Sequence, residues 1–116
     1  KFTIRTAKYQ KKFLNILIAY GAHFELTEAL KKIAEKMIRI GKIEITEKDI
    51  EQNLLVPVPV DLVIRTGGMS RLSNFLLWQV AYAELYVTKT LWPDFSKKEL
   101  IKAIRWYNSI QKNFGR

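Results

Sequence analysis

No cysteine occurs in the 116 residues, which excludes a disulfide framework and a thiolate metal site. His23 is the single histidine, so histidine-based zinc chemistry is not supported either. There are only 3 Pro and 5 Gly, too few for a low-complexity or linker-like chain. No run of about 18 uncharged apolar residues is present, the length a membrane span needs. Acidic groups are scarce as well, 11 against 20 basic ones, for a net charge of +9. The chain begins at Lys1 and no signal-peptide pattern follows, as expected of a piece of something longer.

What is present argues for folding. Hydrophobic residues make up 48% of the chain and aromatics 12%, enough for one domain, or part of one, with a modest core. The basic excess is spread over both halves, with 11 basic and 7 acidic groups in residues 1–60 and 9 and 4 in residues 61–116. It is densest at Lys1, Arg5, Lys8, Lys11 and Lys12, and again at residues 97–116. Such a surface suits anionic partners: nucleic acid, acidic lipid or phosphorylated small molecules.

Strand and helix patterns alternate along the chain. Residues 2–6 alternate apolar and polar, a weak strand signal. Residues 13–19 form a branched apolar run stopped by Tyr20-Gly21, which predicts a strand buried on both faces. Leu26, Leu30, Ile33, Met37 and Ile40 then fall on one helical stripe, predicting a helix over residues 25–40 that ends at Gly41. Thr46 with Asp49 reads as a capping box. Residues 61–64 predict a second buried strand, and residues 75–85 a helix apolar nearly all round, of the kind found in interiors or between subunits. A short strand over residues 86–91, a turn at Trp92-Pro93-Asp94-Phe95, and a capping box at Ser96 and Glu99 follow. The last helix is predicted to run to Asn113, with Leu100, Ile104, Tyr107 and Ile110 or Phe114 inward. The fold class is α/β: a mainly parallel sheet flanked by helices.

The chemistry concentrates between Asp61 and Glu84. Arg65 ends a strand at the carboxyl edge of the sheet, where ligands bind in open α/β sheets. Gly67-Gly68 permits a tight turn and close backbone approach. Arg71 and Ser73 follow, just before a predicted helix start whose N–H groups attract anions. Two guanidinium forks and a hydroxyl suit a diphosphate; the same spacing also fits an ordinary strand-to-helix turn with surface arginines. Glu84, inside an otherwise apolar predicted helix, calls for a partner if buried, either a basic side chain in a structural ion pair or a divalent cation such as magnesium; it also fits a plain charge at the helix end. His23 lies where it would line the same edge, or simply pack. Trp78, Trp92 and Trp106 are placed as core or interface residues, and Lys97, Lys98, Lys102, Arg105 and Lys112 as a solvated helix face.

The stretch Val60-Asp61-Leu62-Val63-Ile64-Arg65-Thr66-Gly67-Gly68, followed by Arg71-Leu72-Ser73-Asn74-Phe75-Leu76-Leu77-Trp78-Gln79 and Ala81-Tyr82-Ala83-Glu84-Leu85-Tyr86, resembles the cis-prenyltransferases, the undecaprenyl diphosphate synthase-like enzymes. Leu91-Trp92-Pro93-Asp94-Phe95 extends the resemblance, as do Phe114-Gly115 and, upstream, Leu14-Asn15-Ile16 with Tyr20-Gly21. It implies that residues 1–116 are the C-terminal part of a single such domain. Arg65, Arg71 and Ser73, with Leu72 between them, would hold the diphosphate of isopentenyl diphosphate, and Glu84 would help hold Mg²⁺. The activity implied is cis condensation of isopentenyl diphosphate with an allylic diphosphate, by a homodimer that is cytoplasmic or peripheral at the membrane. A non-catalytic partner subunit of a heteromeric prenyltransferase is the alternative. A nucleic-acid module would rest on the +9 charge alone, and no nucleic-acid partner is expected.

Four departures from the family pattern stand out. Met69 replaces an expected Glu, Asn113-Phe114-Gly115 replaces Arg-x-Gly, and Ala22-His23 replaces Gly-Arg. The front-half loop that bears the catalytic Asp and the allylic site has no counterpart in this sequence. No catalytic residue is therefore expected in this chain, and the chain alone is expected not to turn over.

Overall fold

Gly21 and Gly41 bracket the longest helix, α1 (Ala22–Ile40), in the computed structural model, which describes residues 6–9 and 11–111. The segment is rich in Ala, Leu, Glu and Lys and contains no proline, so propensity favours helix throughout. Gly41 ends it at φ 66°, a left-handed conformation cheap only for glycine, with its N–H bonded to the Ile38 carbonyl at 3.3 Å. The buried face is Ala22, Glu25, Ala29, Ile33 and Met37. It is thus rotated from the predicted stripe: Ile33 and Met37 are core residues, whereas Leu30 and Ile40 are exposed. The small side chains of Ala22 and Ala29 let other chain segments approach α1 on that side. The bond from Ala22 N–H to the Asn74 carbonyl, 2.8 Å, marks one such approach.

Helix α2 (Glu47–Asn53) starts at the predicted capping box. The Thr46 hydroxyl accepts from the Asp49 N–H at 3.2 Å, and the Asp49 carboxylate accepts from the Thr46 N–H at 3.0 Å. Lys36 of α1 reaches the same carboxylate at 3.4 Å, joining the two helices. The Thr46 hydroxyl and N–H, helped by Lys36, hold the Asp49 carboxyl below the ordinary aspartate range. A depressed native value means that the cap stabilises the fold above the unfolded pKa of aspartate and is lost as pH falls through the native value. Once corrected for the intrinsic slowing of exchange in acid, amide exchange in α2 should therefore become selectively faster, that is less protected, on acidification below the ordinary aspartate range, while protection in mid-α1 does not follow the same profile. Thr46→Ala should give the faster exchange already at neutral pH.

Strands β1 (Leu62–Arg65) and β2 (Glu84–Val87) form a parallel pair, with Leu62 opposite Glu84 and Arg65 opposite Val87. The parallel sheet is as expected, although β1 is only half-buried and β2 begins two residues earlier than predicted. A 3-10 turn (Trp92–Asp94) leads to Ser96, whose hydroxyl caps helix α3 (Lys97–Ser109) by accepting from the Glu99 N–H. Helix α3 packs on β2 through Tyr86 and Trp106, ring centroids 5.1 Å apart. Only Ala103 of α3 is fully buried; Leu100 and Ile104 keep about two-fifths of their surface exposed, and Tyr107 and Ile110 are half-buried. The helix ends at Ser109, short of Asn113. Residues 2–5, Asn113, Phe114 and Gly115 lie outside the described residues, together with the readings placed on them.

Two predicted elements are absent. Residues 13–19 form no strand; Phe13 is 81% and Leu14 85% exposed. A strand buried on both faces needs neighbouring strands, and among the described residues β1 and β2 pair only with each other. Residues 75–83 form a chain of turns instead of a helix. Ser73, Asn74 and Leu76 all have left-handed backbones, with φ of 52°, 61° and 47°, which no right-handed helix accommodates. A helix apolar all round requires apolar surroundings on every side, and here Tyr82 remains 92% exposed.

Candidate functional site

The turn after β1 is built by glycine. Gly67 and Gly68 have φ of 82° and 76°, and their N–H groups bond to the carbonyls of Thr90 and Thr88 at 3.0 and 2.8 Å. This folds the chain sharply back along the segment that follows β2 and leaves Arg65 at the carboxyl edge of the pair, the edge expected from the sequence. Arg65 Nη2 donates to the Ser73 hydroxyl at 3.4 Å. That is long for a hydrogen bond, and the guanidinium keeps most of its donors for other acceptors. Arg71 is exposed, and Leu72 is half-buried with its carbonyl accepting from the Phe75 N–H at 3.2 Å. No ion pair among the described residues involves Arg65 or Arg71. Met69 is half-exposed on the same turn.

The position of Ser73 depends on its neighbours. The Asn74 carbonyl accepts from the Ala22 N–H at 2.8 Å, and Asn74 Oδ1 accepts from the His23 N–H at 3.0 Å, so Asn74 satisfies the start of α1 from 51 residues away. His23 contributes its backbone there, while its side chain is exposed. A Cβ on Gly21 would come within 2.8 Å of Asn74 Nδ2, well inside ordinary contact. Gly21→Ala should therefore displace this cap and cost about 1 kcal/mol of stability, the usual worth of an N-terminal cap. Thermal unfolding measures it. Gly21→Ala combined with Asn74→Ala should cost little more than Asn74→Ala alone.

Glu84 is not in a helix: it opens β2, with its N–H on the Asp61 carbonyl at 3.0 Å. Paired residues in a sheet share a face and successive residues alternate. The register therefore puts Glu84 on the face of Leu62, Ile64 and Tyr86, and Arg65 on the face of Val63 and Leu85. The two are also three residues apart along the strands, about 10 Å. The structure thus brings Arg65 and Ser73 together and sets Glu84 at the opposite end of the other face. There it lines a cleft of about 940 Å³ with Glu47, Glu51 and Asp61, and no basic side chain pairs with it among the described residues. No group of three His, Asp or Glu is placed to hold a metal ion among the described residues. The residues present do not by themselves fit a magnesium centre around a diphosphate held by Arg65.

The sequence reading missed a buried carboxylate. Glu25 is 2% exposed and accepts from the Tyr20 hydroxyl, the Leu55 N–H at 2.8 Å, and Gln79 Nε2 at 3.1 and 3.3 Å. Burial, then the Glu25 hydrogen bond and charge, push the Tyr20 hydroxyl well above the ordinary phenol range, while a backbone bond from Leu76 acts the other way. An acid in the first turn of a helix reads as a dipole partner on the surface. The signal that it lies inward is its place between Ala22 and Ala29, on the face that those small residues open.

The profile of the family described as putative undecaprenyl diphosphate synthase matches residues 1–115. The ditrans,polycis-undecaprenyl-diphosphate synthase ((2E,6E)-farnesyl-diphosphate specific) of Haemophilus ducreyi is 48% identical over 115 residues, covering 95% of this chain and 47% of the relative. An isoprenyl transferase of Fusobacterium nucleatum is 47% identical over 116 residues, 99% of this chain and 49% of the relative. A probable undecaprenyl diphosphate synthase from Campylobacter jejuni superposes with a TM-score of 0.83 at 38% identity, over 97% of this chain and 52% of that one. The chain spans about half the length of the curated relatives it matches. None of these relatives is named as a non-catalytic subunit. By sequence along nearly its whole length and by fold, the chain belongs to the cis-prenyltransferase family, that of the undecaprenyl diphosphate synthases.

Proposed function

We propose that this chain is the part of a cis-polyprenyl diphosphate synthase that binds isopentenyl diphosphate, the five-carbon unit condensed with an allylic diphosphate. The observation that carries this reading is Arg65 donating to Ser73 at 3.4 Å on the carboxyl edge of a parallel pair, with no carboxylate among the described residues ion-paired to Arg65 or Arg71. A diphosphate entering there accepts from the Arg65 fork and the Ser73 hydroxyl, and Arg71 swings in from solvent to the second phosphate. Backbone groups at Leu72 border the same turn. The diphosphate is thereby fixed and its charge offset, leaving the isopentenyl tail to be directed by residues outside this chain. The catalytic Asp and the allylic site belong to the half of the family fold that this chain does not span.

Magnesium dependence is part of the proposal at the level of the assembled enzyme, with Glu84 offering one carboxylate. Because Glu84 and Arg65 occupy opposite faces, no step is routed through a metal within one chain. Assembly as a homodimer is supported by the exposure of Tyr82, Leu91 and Trp92, large apolar side chains that a second subunit would cover. No helix among the described residues is long and apolar enough to cross a membrane. Peripheral attachment to a membrane is supported by Lys97, Lys98, Lys102 and Arg105 on α3, a basic surface suited to anionic headgroups.

The test is a condensation assay with radiolabelled isopentenyl diphosphate, an allylic diphosphate and Mg²⁺. The chain alone should give no product, and the chain joined to a family N-terminal half should give cis-polyprenyl product that EDTA abolishes. A joined, folded protein that makes none would refute the enzyme reading.

A further inference from the structure

We infer that Glu25, which touches no substrate, is a positioning residue for the diphosphate site. The inference rests on the proposed reading of Arg65 and Ser73. A carboxylate 2% exposed with no cationic partner among the described residues is costly to bury. A Leu or Met at this point of the α1 core face would pack without that cost. What Glu25 supplies instead is acceptor capacity, and its donors come from three separate segments: Tyr20 before α1, Leu55 after α2, and Gln79 at the end of the turn that carries Ser73.

The link to the site runs through Gln79, itself 5% exposed. Its side-chain amide is committed to Glu25 and to the Val56 carbonyl at 3.2 Å, and its backbone carbonyl accepts from the Val60 N–H at 2.9 Å, two residues before β1. Its Oε1 has no hydrogen-bond partner among the described residues, so the orientation of this amide is dictated by the acceptors of its NH₂ group, Glu25 foremost. At the other end of the same turn Asn74 is bonded to the start of α1, and Tyr20, whose hydroxyl donates to Glu25, meets Phe75 of the turn edge-on with ring centroids 5.8 Å apart. The turn is therefore tied to α1 at Asn74, among its left-handed residues Ser73, Asn74 and Leu76, and again beyond them at Gln79. Such conformations persist only where surrounding contacts over-determine them. Release of the Glu25 clamp lets the turn relax, and Ser73 leaves the reach of the Arg65 fork. A hydroxyl already at 3.4 Å has little margin for such a shift.

The chain is titrated with inorganic pyrophosphate by calorimetry, and its thermal unfolding is recorded, for wild type, Glu25→Gln, Gln79→Met, the double variant and Met37→Ala. Met37 is buried on α1 far from the turn and controls for stability alone. Glu25→Gln and Gln79→Met should each weaken pyrophosphate binding about tenfold, and the double variant no more than either, because both break one linkage. Met37→Ala should lower the melting temperature by at least as much and leave the affinity unchanged. Where Glu25→Gln does not fold, Glu25→Asp, with its acceptor retracted by one methylene, should show the same loss of affinity. Affinity that follows melting temperature through all variants, Met37→Ala included, or affinity unchanged in the Glu25 variants, would overturn the inference while leaving the diphosphate site standing. Failure of the wild type to bind pyrophosphate would remove the site itself, and this inference with it.

Discussion

Arg65→Ala is expected to raise the KM for isopentenyl diphosphate in the assembled enzyme by roughly 10- to 150-fold, the equivalent of about 1.5–3 kcal/mol for one charge-assisted contact. The allylic substrate should keep its KM, because nothing places Arg65 at that site. The effect should appear mainly in KM and less in kcat, as befits a group that holds the diphosphate equally before and during reaction. Arg65→Lys should recover only part of the loss: an ammonium keeps the charge but not the planar fork that spans two phosphate oxygens. Steady-state kinetics with each substrate varied in turn separates these outcomes. Equal rises in both KM values would point to a general loss of structure.

Ile33→Ala carries the largest expected effect on stability. Ile33 is 1% exposed and, with Glu25, is one of the two largest fully buried side chains among the described residues. Truncation should cost about 2–5 kcal/mol in lost transfer energy and cavity formation, a large fraction of what a small domain possesses. The melting temperature should fall by roughly 10 °C or more. Leu30→Ala, one turn away but exposed, should change it by no more than a degree or two. The two leucine-or-isoleucine positions look equivalent in the helical periodicity, so the contrast tests the rotated core face of α1 directly.

That rotation shows what could be read in the sequence and what could not. The C-terminal end of α1 and the starts of α2 and α3 were legible because each depends on local chemistry: Gly41 in a left-handed cap, Thr46 with Asp49, Ser96 before Glu99; the start of α1 at Ala22, three residues before the predicted one, carries no side-chain cap of its own. Strand β1 and its parallel partner were legible from branched apolar residues separated by a long connection, whereas the spacing of Arg65 and Ser73 fits an ordinary turn as well and did not by itself foretell their contact. Which side of α1 turns inward depends on what packs there, and only Ala22 and Ala29 hinted at it. Residues 13–19 and 75–83 were misread for one shared reason. Apolar content reports that a segment is to be covered, not whether its cover lies in the same chain. Glu84 was expected within a helix; as the first residue of β2 it falls, by the alternation of faces, on the opposite side of the pair from Arg65.

The central claim is that this chain carries a diphosphate site of its own, and the most direct measurement is equilibrium binding of isopentenyl diphosphate and isopentenyl monophosphate to the chain at low and moderate salt. The Arg65 fork and the Ser73 hydroxyl at one sheet edge, with Arg71 recruited from solvent as proposed, predict saturable one-to-one binding of the diphosphate, at least about tenfold tighter than the monophosphate, retained at moderate salt and lost in Arg65→Ala. A surface of scattered lysines would instead bind both ligands weakly and alike, fade with salt and ignore Arg65→Ala; that result would contradict the account.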